Sequence, residues 1–252
     1  MGEVTYERTG AAAVVTINRP ERRNAVDGPT ADQLEAAYEQ FVADDEALCM
    51  VLTGAGGEAF CAGADLKALD SYGPRILSGK DPMGFTRQTS PKPTIAAVSG
   101  WALAGGFELA LWCDLRICAE GTTFGFPERR WGVPLIDGGT QRIARVVGLG
   151  RALDLVLTGR MVELDEAEEI GLVTRRVPAG EHLAAALELV EQLAGFPPET
   201  MLADRASLLA GYGRPLEEGL KIEADAGLAT LEVAMKGAQR FADGAGRGGS
   251  GV

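Results

Sequence analysis

Residues 11–18 (AAAVVTIN) form a short β-branched apolar run that reads as a strand, and the turn-rich RPERRNAVDGP ends it. Thr30 with Gln33 has the spacing of a helix capping box, after which Leu34, Ala37, Tyr38, Phe41 and Val42 recur at helical intervals. Three more apolar runs of strand length follow at 48–53 (LCMVLT), 94–99 (TIAAVS) and 114–119 (DLRICA), without polar alternation, as expected of strands covered on both faces. GWALAGGFELALWC, between the last two, is long and apolar enough for a buried helix. Strands alternating with helices imply crossover connections and an α/β architecture. From Gly138 the pattern turns helical, over 141–147, 152–157, the acidic ELDEAEEIGL, 182–193, 200–209 and 216–235. GAGRGGSG at 244–251 reads as a flexible tail. The expected organisation is one core over 1–195, a helical region over 196–243 and a tail over 244–252.

Composition narrows the function classes. Hydrophobic residues make up 46% and charged residues 24%, as in ordinary globular proteins. A net charge of -12 and a pI near 4.7 argue against nucleic acid or an anionic membrane as partners, and the arginine pairs 22–23 and 129–130 are each flanked by an acid. The N-terminus has no signal pattern and no apolar run reaches spanning length, so a cytoplasmic, membrane-free protein is expected. Cys49, Cys61, Cys113 and Cys118 lack metal-ligand spacing and read as buried free thiols. His182, the only histidine, reads as a surface residue and leaves neither a catalytic triad nor a multi-histidine metal site.

Three segments could carry chemistry. In 100–113, Glu108 is the one acid in an otherwise apolar stretch, where a carboxylate needs a partner or a function. Gly105-Gly106 at the helix start would expose N–H groups at the positive end of its dipole. The alternative is that the glycines allow close packing and that Glu108 bonds to backbone or an arginine. In 60–66, FCAGADL is built of small residues whose amides a ligand could reach, or it is a plain loop capped by Asp65. In 124–142, Glu128 next to Arg129 and Arg130 reads locally as a surface salt bridge, and Asp137 before Gly138-Gly139 as a helix cap.

Together, NRPERRNAV, AFCAGADL, GWALAGGFELALWCDLRI, FGFPERRWGVP, GGTQR, LDLVLTGR and EIGLV, in this order across roughly residues 4 to 243, closely resemble the crotonase (enoyl-CoA hydratase/isomerase) superfamily. The resemblance implies a ClpP-like spiral of repeated ββα units with a helical C-terminal region that forms trimers or dimers of trimers. It implies an acyl-CoA substrate in fatty-acid β-oxidation, no cofactor beyond the coenzyme A of the substrate, and no metal. It also implies an oxyanion hole from the N–H groups of Ala62 and Gly105, and substrate binding by Ala25, Ala64, Asp65, Leu66 and Pro127, with Asn24 beside them. Glu108 and Glu128 occupy both positions of the glutamate pair that holds water in hydratases, so hydration of an enoyl-CoA double bond is the expected reaction. Isomerases commonly keep one of these acids; C–C cleavage, dehalogenation and a non-catalytic acyl-CoA-binding subunit are the other readings. The chain departs from the common hydratase pattern at 133–137 (VPLID), which is bulkier and charged, and Asp137 therefore stands as a candidate third acid. Trp101, Trp131, Leu135 and Phe85 are candidates for lining the pocket.

Overall fold

The computed structural model describes residues 2–244, so all but Gly244 of the expected tail lies outside the described residues. The chain divides into two compact units, Met1–Glu188 and Leu189–Val252.

In the first unit two sheets climb in step. A six-stranded sheet has the order β1 (Val4–Thr9), β2 (Ala12–Ile17), β3 (Cys49–Gly54), β5 (Thr94–Val98), β7 (Leu115–Ala119), β10 (Arg175–Val177). A second sheet of short strands has the order β4 (Ala59–Cys61), β6 (Trp101–Leu103), β8 (Thr123–Gly125), β9 (Met161–Glu163). Each long strand β3, β5, β7 is followed by a short strand β4, β6, β8, and both triplets pair in parallel and in the same order. Segments leaving the short strands are therefore neighbours in space although about 40 residues separate the first two and about 20 the next.

The apolar runs explain the long strands: β5 is buried throughout and β3 at all but its last residue. β1 is different. It is half-buried over its first three residues and exposed over its last three, and it pairs antiparallel with β2, a polar edge without the apolar run of the other strands. Helix α1 (Gly28–Ala43) packs Leu34, Ala37, Tyr38 and Phe41 inward as expected, while Val42 is exposed, and its cap is Asp27, whose carboxylate accepts the Thr30 N–H at 2.9 Å. Gln33 instead accepts the Val4 N–H, tying the helix to β1. The stretch read as one buried helix is β6 followed by α3 (Gly105–Trp112), because Ala104 turns the chain sharply between them at φ 51. The remaining helices of this unit are α2 (Gly73–Leu77), α4 (Gly139–Val147), α5 (Leu149–Thr158), α6 (Leu164–Glu169) and the start of α7 (His182–Ala194).

The second unit contains α8 (Pro198–Gly211), α9 (Leu216–Ala229) and α10 (Leu231–Ala242). The expected single helix over 216–235 is broken at Thr230, which caps α9 and starts α10. None of these three helices buries a residue, although Leu208, Leu216, Leu228, Met235 and Phe241 are all exposed. No helix among the described residues is long and apolar enough to cross a membrane.

Asn24 fastens the first loop to the second sheet. It is fully buried with φ 55; its Oδ1 accepts the Arg19 N–H, and its Nδ2 donates to the carbonyls of Ala55 and Ala59. Removing it strands one donor and two acceptors, each costing about 1–3 kcal/mol when buried and unpaired. Asn24→Ala is expected to lower stability by about 3 kcal/mol; a urea midpoint equal to wild type would show that the loop is held by something else.

Candidate active site

The site lies where the segments after β4, β6 and β8 meet. Gly106 is obligatory there: a Cβ on it would stand 2.0 Å from the Cys61 carbonyl oxygen, so only glycine lets α3 approach β4 this closely. Next to it, a Cβ on Gly63 would stand 2.9 Å from the Gly105 nitrogen, which puts the 62–65 loop against the first residue of α3.

The amides of this junction correct the sequence reading at one position. The Ala62 N–H, expected in the oxyanion hole, donates to the Arg23 carbonyl at 3.0 Å and is already engaged. The reason is the left-handed turn at Arg23 and Asn24, φ 54 and 55, which swings that carbonyl onto the strand end. Ala64 sits differently. It forms a parallel bridge with Val26 in which Gly63 O and Asp65 N–H make the bonds, so its own N–H points away from Val26. Neither the Ala64 nor the Gly105 N–H has a hydrogen-bond partner among the described residues. Gly105 is the first residue of α3, where N–H groups have no intrahelical acceptor.

The acids come together as follows. Glu108, 3% exposed, bonds to backbone: its Oε1 accepts N–H groups from Asp137 at 3.0 Å and Gly139 at 2.7 Å. Burial pushes its pKa up to about 8, helped by the charges of Asp137 and, less, Glu128, while the two amides act in the opposite direction. Glu128 does not form the surface salt bridge its arginine neighbours suggest. Phe124 and Phe126 are buried against Phe107, at ring distances of 5.1 and 4.6 Å, and half-buried Pro127 opens a 3-10 turn that carries Glu128 inward. Both of its carboxylate oxygens are buried without a hydrogen-bond partner among the described residues. Burial raises its pKa as well. A carboxyl group so placed has its bonding capacity left over for something not part of the chain.

Asp137 does not cap α4. The cap is Gly138, and the Asp137 Oδ1 instead accepts the Met83 N–H at 3.0 Å and the Thr86 hydroxyl at 2.6 Å. Asp65 caps the 3-10 turn 66–72 through the Lys67 N–H and faces Arg19 at 3.5 Å, so its buried carboxylate is spent internally. Arg19 also meets Asp27 at 2.9 Å and the Ala25 carbonyl, clamping the 25–27 and 65 segments together. The surfaces these loops leave available are main chain and the exposed Leu66 side chain.

Other candidates separate. Phe85 is core, stacked on Tyr38 at 5.1 Å and near Trp112 at 4.5 Å. Trp131 is exposed, Trp101 lies under Arg23, and Leu135 packs against the core. His182 is half-buried rather than superficial, with its pKa lowered by burial. All four cysteines are buried with free thiols, and burial raises the pKa of Cys61, Cys113 and Cys118.

Paired buried carboxyls beside unpaired backbone donors on a ββα spiral define a class of enzyme that stabilises charge on a carbonyl oxygen while moving protons next to it. The chain belongs to the enoyl-CoA hydratase/isomerase family, whose model matches residues 7–245. It is 41% identical to a probable enoyl-CoA hydratase of Rhizobium meliloti over 224 residues, covering 86% of this chain and 85% of that one. It is 35% identical to the short-chain-enoyl-CoA hydratase of Clostridium acetobutylicum over 230 residues, covering 90% and 88%. The crystal structure of an enoyl-CoA hydratase from Mycobacterium tuberculosis superposes with a TM-score of 0.88 at 35% identity, covering 96% of each chain.

The raised pKa of Glu108 has a sign for stability. The folded state holds this proton more tightly than the unfolded state, so the stabilising contribution is complete below the ordinary value of 4.5 and disappears as pH rises through about 8. Glu108→Gln is therefore expected to gain stability relative to wild type between pH 5 and 8. Thermal denaturation of both proteins across that range checks it; parallel curves would mean that Glu108 titrates normally.

Proposed function

We propose that the chain is an enoyl-CoA hydratase, adding water across the 2,3 double bond of an enoyl-CoA thioester. The observation that carries this reading is the pair Glu108 and Glu128: one carboxyl held by two amides, the other buried with both oxygens uncommitted.

In the reaction, the oxygen of water bonds to C3 and a proton is delivered to C2. As the C3–O bond forms, the double-bond electrons move toward the thioester carbonyl, and the resulting enolate charge collects on its oxygen. Two N–H donors preorganised around that oxygen lower the barrier, and loss of one such donor typically costs about 3 kcal/mol. In place of Ala62, whose N–H is engaged, we assign the donors to Ala64 and Gly105. One carboxylate of the Glu108–Glu128 pair takes a proton from the water while the other carboxyl gives one to C2, so the pair holds one proton before and after. Two acids with raised pKa values suit this, because they retain a shared proton at neutral pH as a coupled unit.

The coenzyme A portion is assigned to the main chain at Ala25, Ala64 and Asp65, with Leu66 and Pro127 flanking. We also propose assembly into trimers or dimers of trimers, supported by the exposed apolar residues of α8, α9 and α10.

Crotonyl-CoA or a longer enoyl-CoA is expected to lose its conjugated absorbance and yield a 3-hydroxyacyl product; a shifted double bond would mark an isomerase, and binding without turnover a non-catalytic protein. Glu108→Gln and Glu128→Gln should each slow hydration by about 10²-fold or more while coenzyme A binding persists. Near-normal rates in both would remove the pair from the mechanism. The wild-type kcat/KM should fall as pH rises past about 8, where the shared proton leaves.

A further inference from the structure

Asp137 is a third buried acid, 3% exposed, whose main chain touches the glutamate site while its side chain is held by a separate segment. Its main-chain N–H donates to Glu108 Oε1, while its side chain accepts from Met83 and Thr86, 54 and 51 residues upstream. Arg142 strengthens the same tie, donating to the Asp137 carbonyl at 2.9 Å and to the Thr86 carbonyl at 2.5 Å. Met83 lies over α3, since a Cβ on Gly105 would stand 2.9 Å from its sulfur. One residue therefore links the carboxyl of Glu108, the turn that holds it and the segment resting on Gly105.

We infer that Asp137 is a positioning residue: its side chain, fixed by Met83 and Thr86, anchors the turn whose amide aims the Glu108 carboxyl, and it sets a like charge next to that carboxyl in the chain fold. The role is distinct from proton transfer. Asp137 spends Oδ1 on two internal donors, and like charge acting through a dry interior opposes ionisation of a neighbour. Other groups act on these two acids. Glu128 opposes and Arg142 favours ionisation of Glu108; on Asp137, Arg142 and Arg87 favour the charge and Asp81 opposes it, with the buried Tyr72 hydroxyl also within reach of its field. Arg142 is cationic and favours the ionised form of Glu108, so its attraction works against the effect of Asp137.

This inference concerns the same site as the hydration reading, but its test does not require turnover. In wild-type protein with carbon-labelled carboxyl groups, the resonance that disappears in Glu108→Gln is expected to titrate near pH 8 and to show a smaller early step as Asp137 ionises. Asp137→Asn keeps an oxygen able to accept from Met83 and Thr86 while removing the charge. There the Glu108 resonance should titrate lower by about one pH unit, and the alkaline limb of kcat/KM should move by the same amount. Asp137→Glu, which retains the charge, should leave Glu108 titrating above the ordinary range. A Glu108 titration unmoved in folded Asp137→Asn overturns the inference, and should that variant not fold, a single-step wild-type titration with no early component overturns it equally. A shifted Glu108 in a protein inert toward every enoyl-CoA would sink hydration alone; active enzyme with an unmoved Glu108 would sink the role of Asp137 alone.

Discussion

Glu108 is an acid inside an apolar helix, and two amides from the turn before α4 hold its carboxyl in place. Much of the site follows from satisfying that one group. The turn must come within hydrogen-bond reach of α3, which requires Gly139, where a Cβ would stand 2.9 Å from the Glu108 carboxyl oxygen. Burying the acid with no direct ion pair among the described residues raises its pKa, so it can bear a proton where an exposed glutamate would not. The same burial would be unfavourable in a protein with no use for it, since an apolar residue of similar shape would pack at less cost.

The fold supplies adjacency rather than chemistry. The parallel triplets β3-β5-β7 and β4-β6-β8 rise together and bring the segments after the short strands to one place, and each contributes something different: the unpaired Ala64 amide after the first, the Gly105 amide with Glu108 after the second, Glu128 after the third. Because β3, β5 and β7 are buried at nearly every residue, the short strands are positioned by a rigid layer. The strained turn at Ala104, φ 51, persists only because β6 on one side and α3 on the other are both fixed.

The sequence made much of this legible, and where it failed the reasons are physical. Continuous apolar runs located β2, β3, β5 and β7, and the motif segments identified both glutamates. Strands of three residues such as β6 and β8 carry no periodicity: β6 is hidden inside a helix-like run, and β8 lies in a segment to which the pattern gives no element. Glu128 misled locally because Arg129 and Arg130 follow it, whereas the buried Phe124 and Phe126 decide which way it faces. Asp137 before two glycines has the sequence of a cap; its real partners lie in the irregular segment around Met83 and Thr86, which no spacing rule reaches. The choice between Ala62 and Ala64 turns on which amide Arg23 already occupies, a matter of two left-handed residues forty positions away.

For the main-chain donor proposed at Ala64, the loop 62–65 is sensitive to its length and to the glycine at 63, and less to the side chain at 64. A change of side chain at Ala64 leaves its nitrogen where it was, but one residue inserted or deleted rotates the bridge to Val26 and turns the amide toward the wrong partner. Natural variation should therefore accumulate as replacements at position 64, with Gly63 and the length of the loop kept and indels confined to the connections farther along the chain.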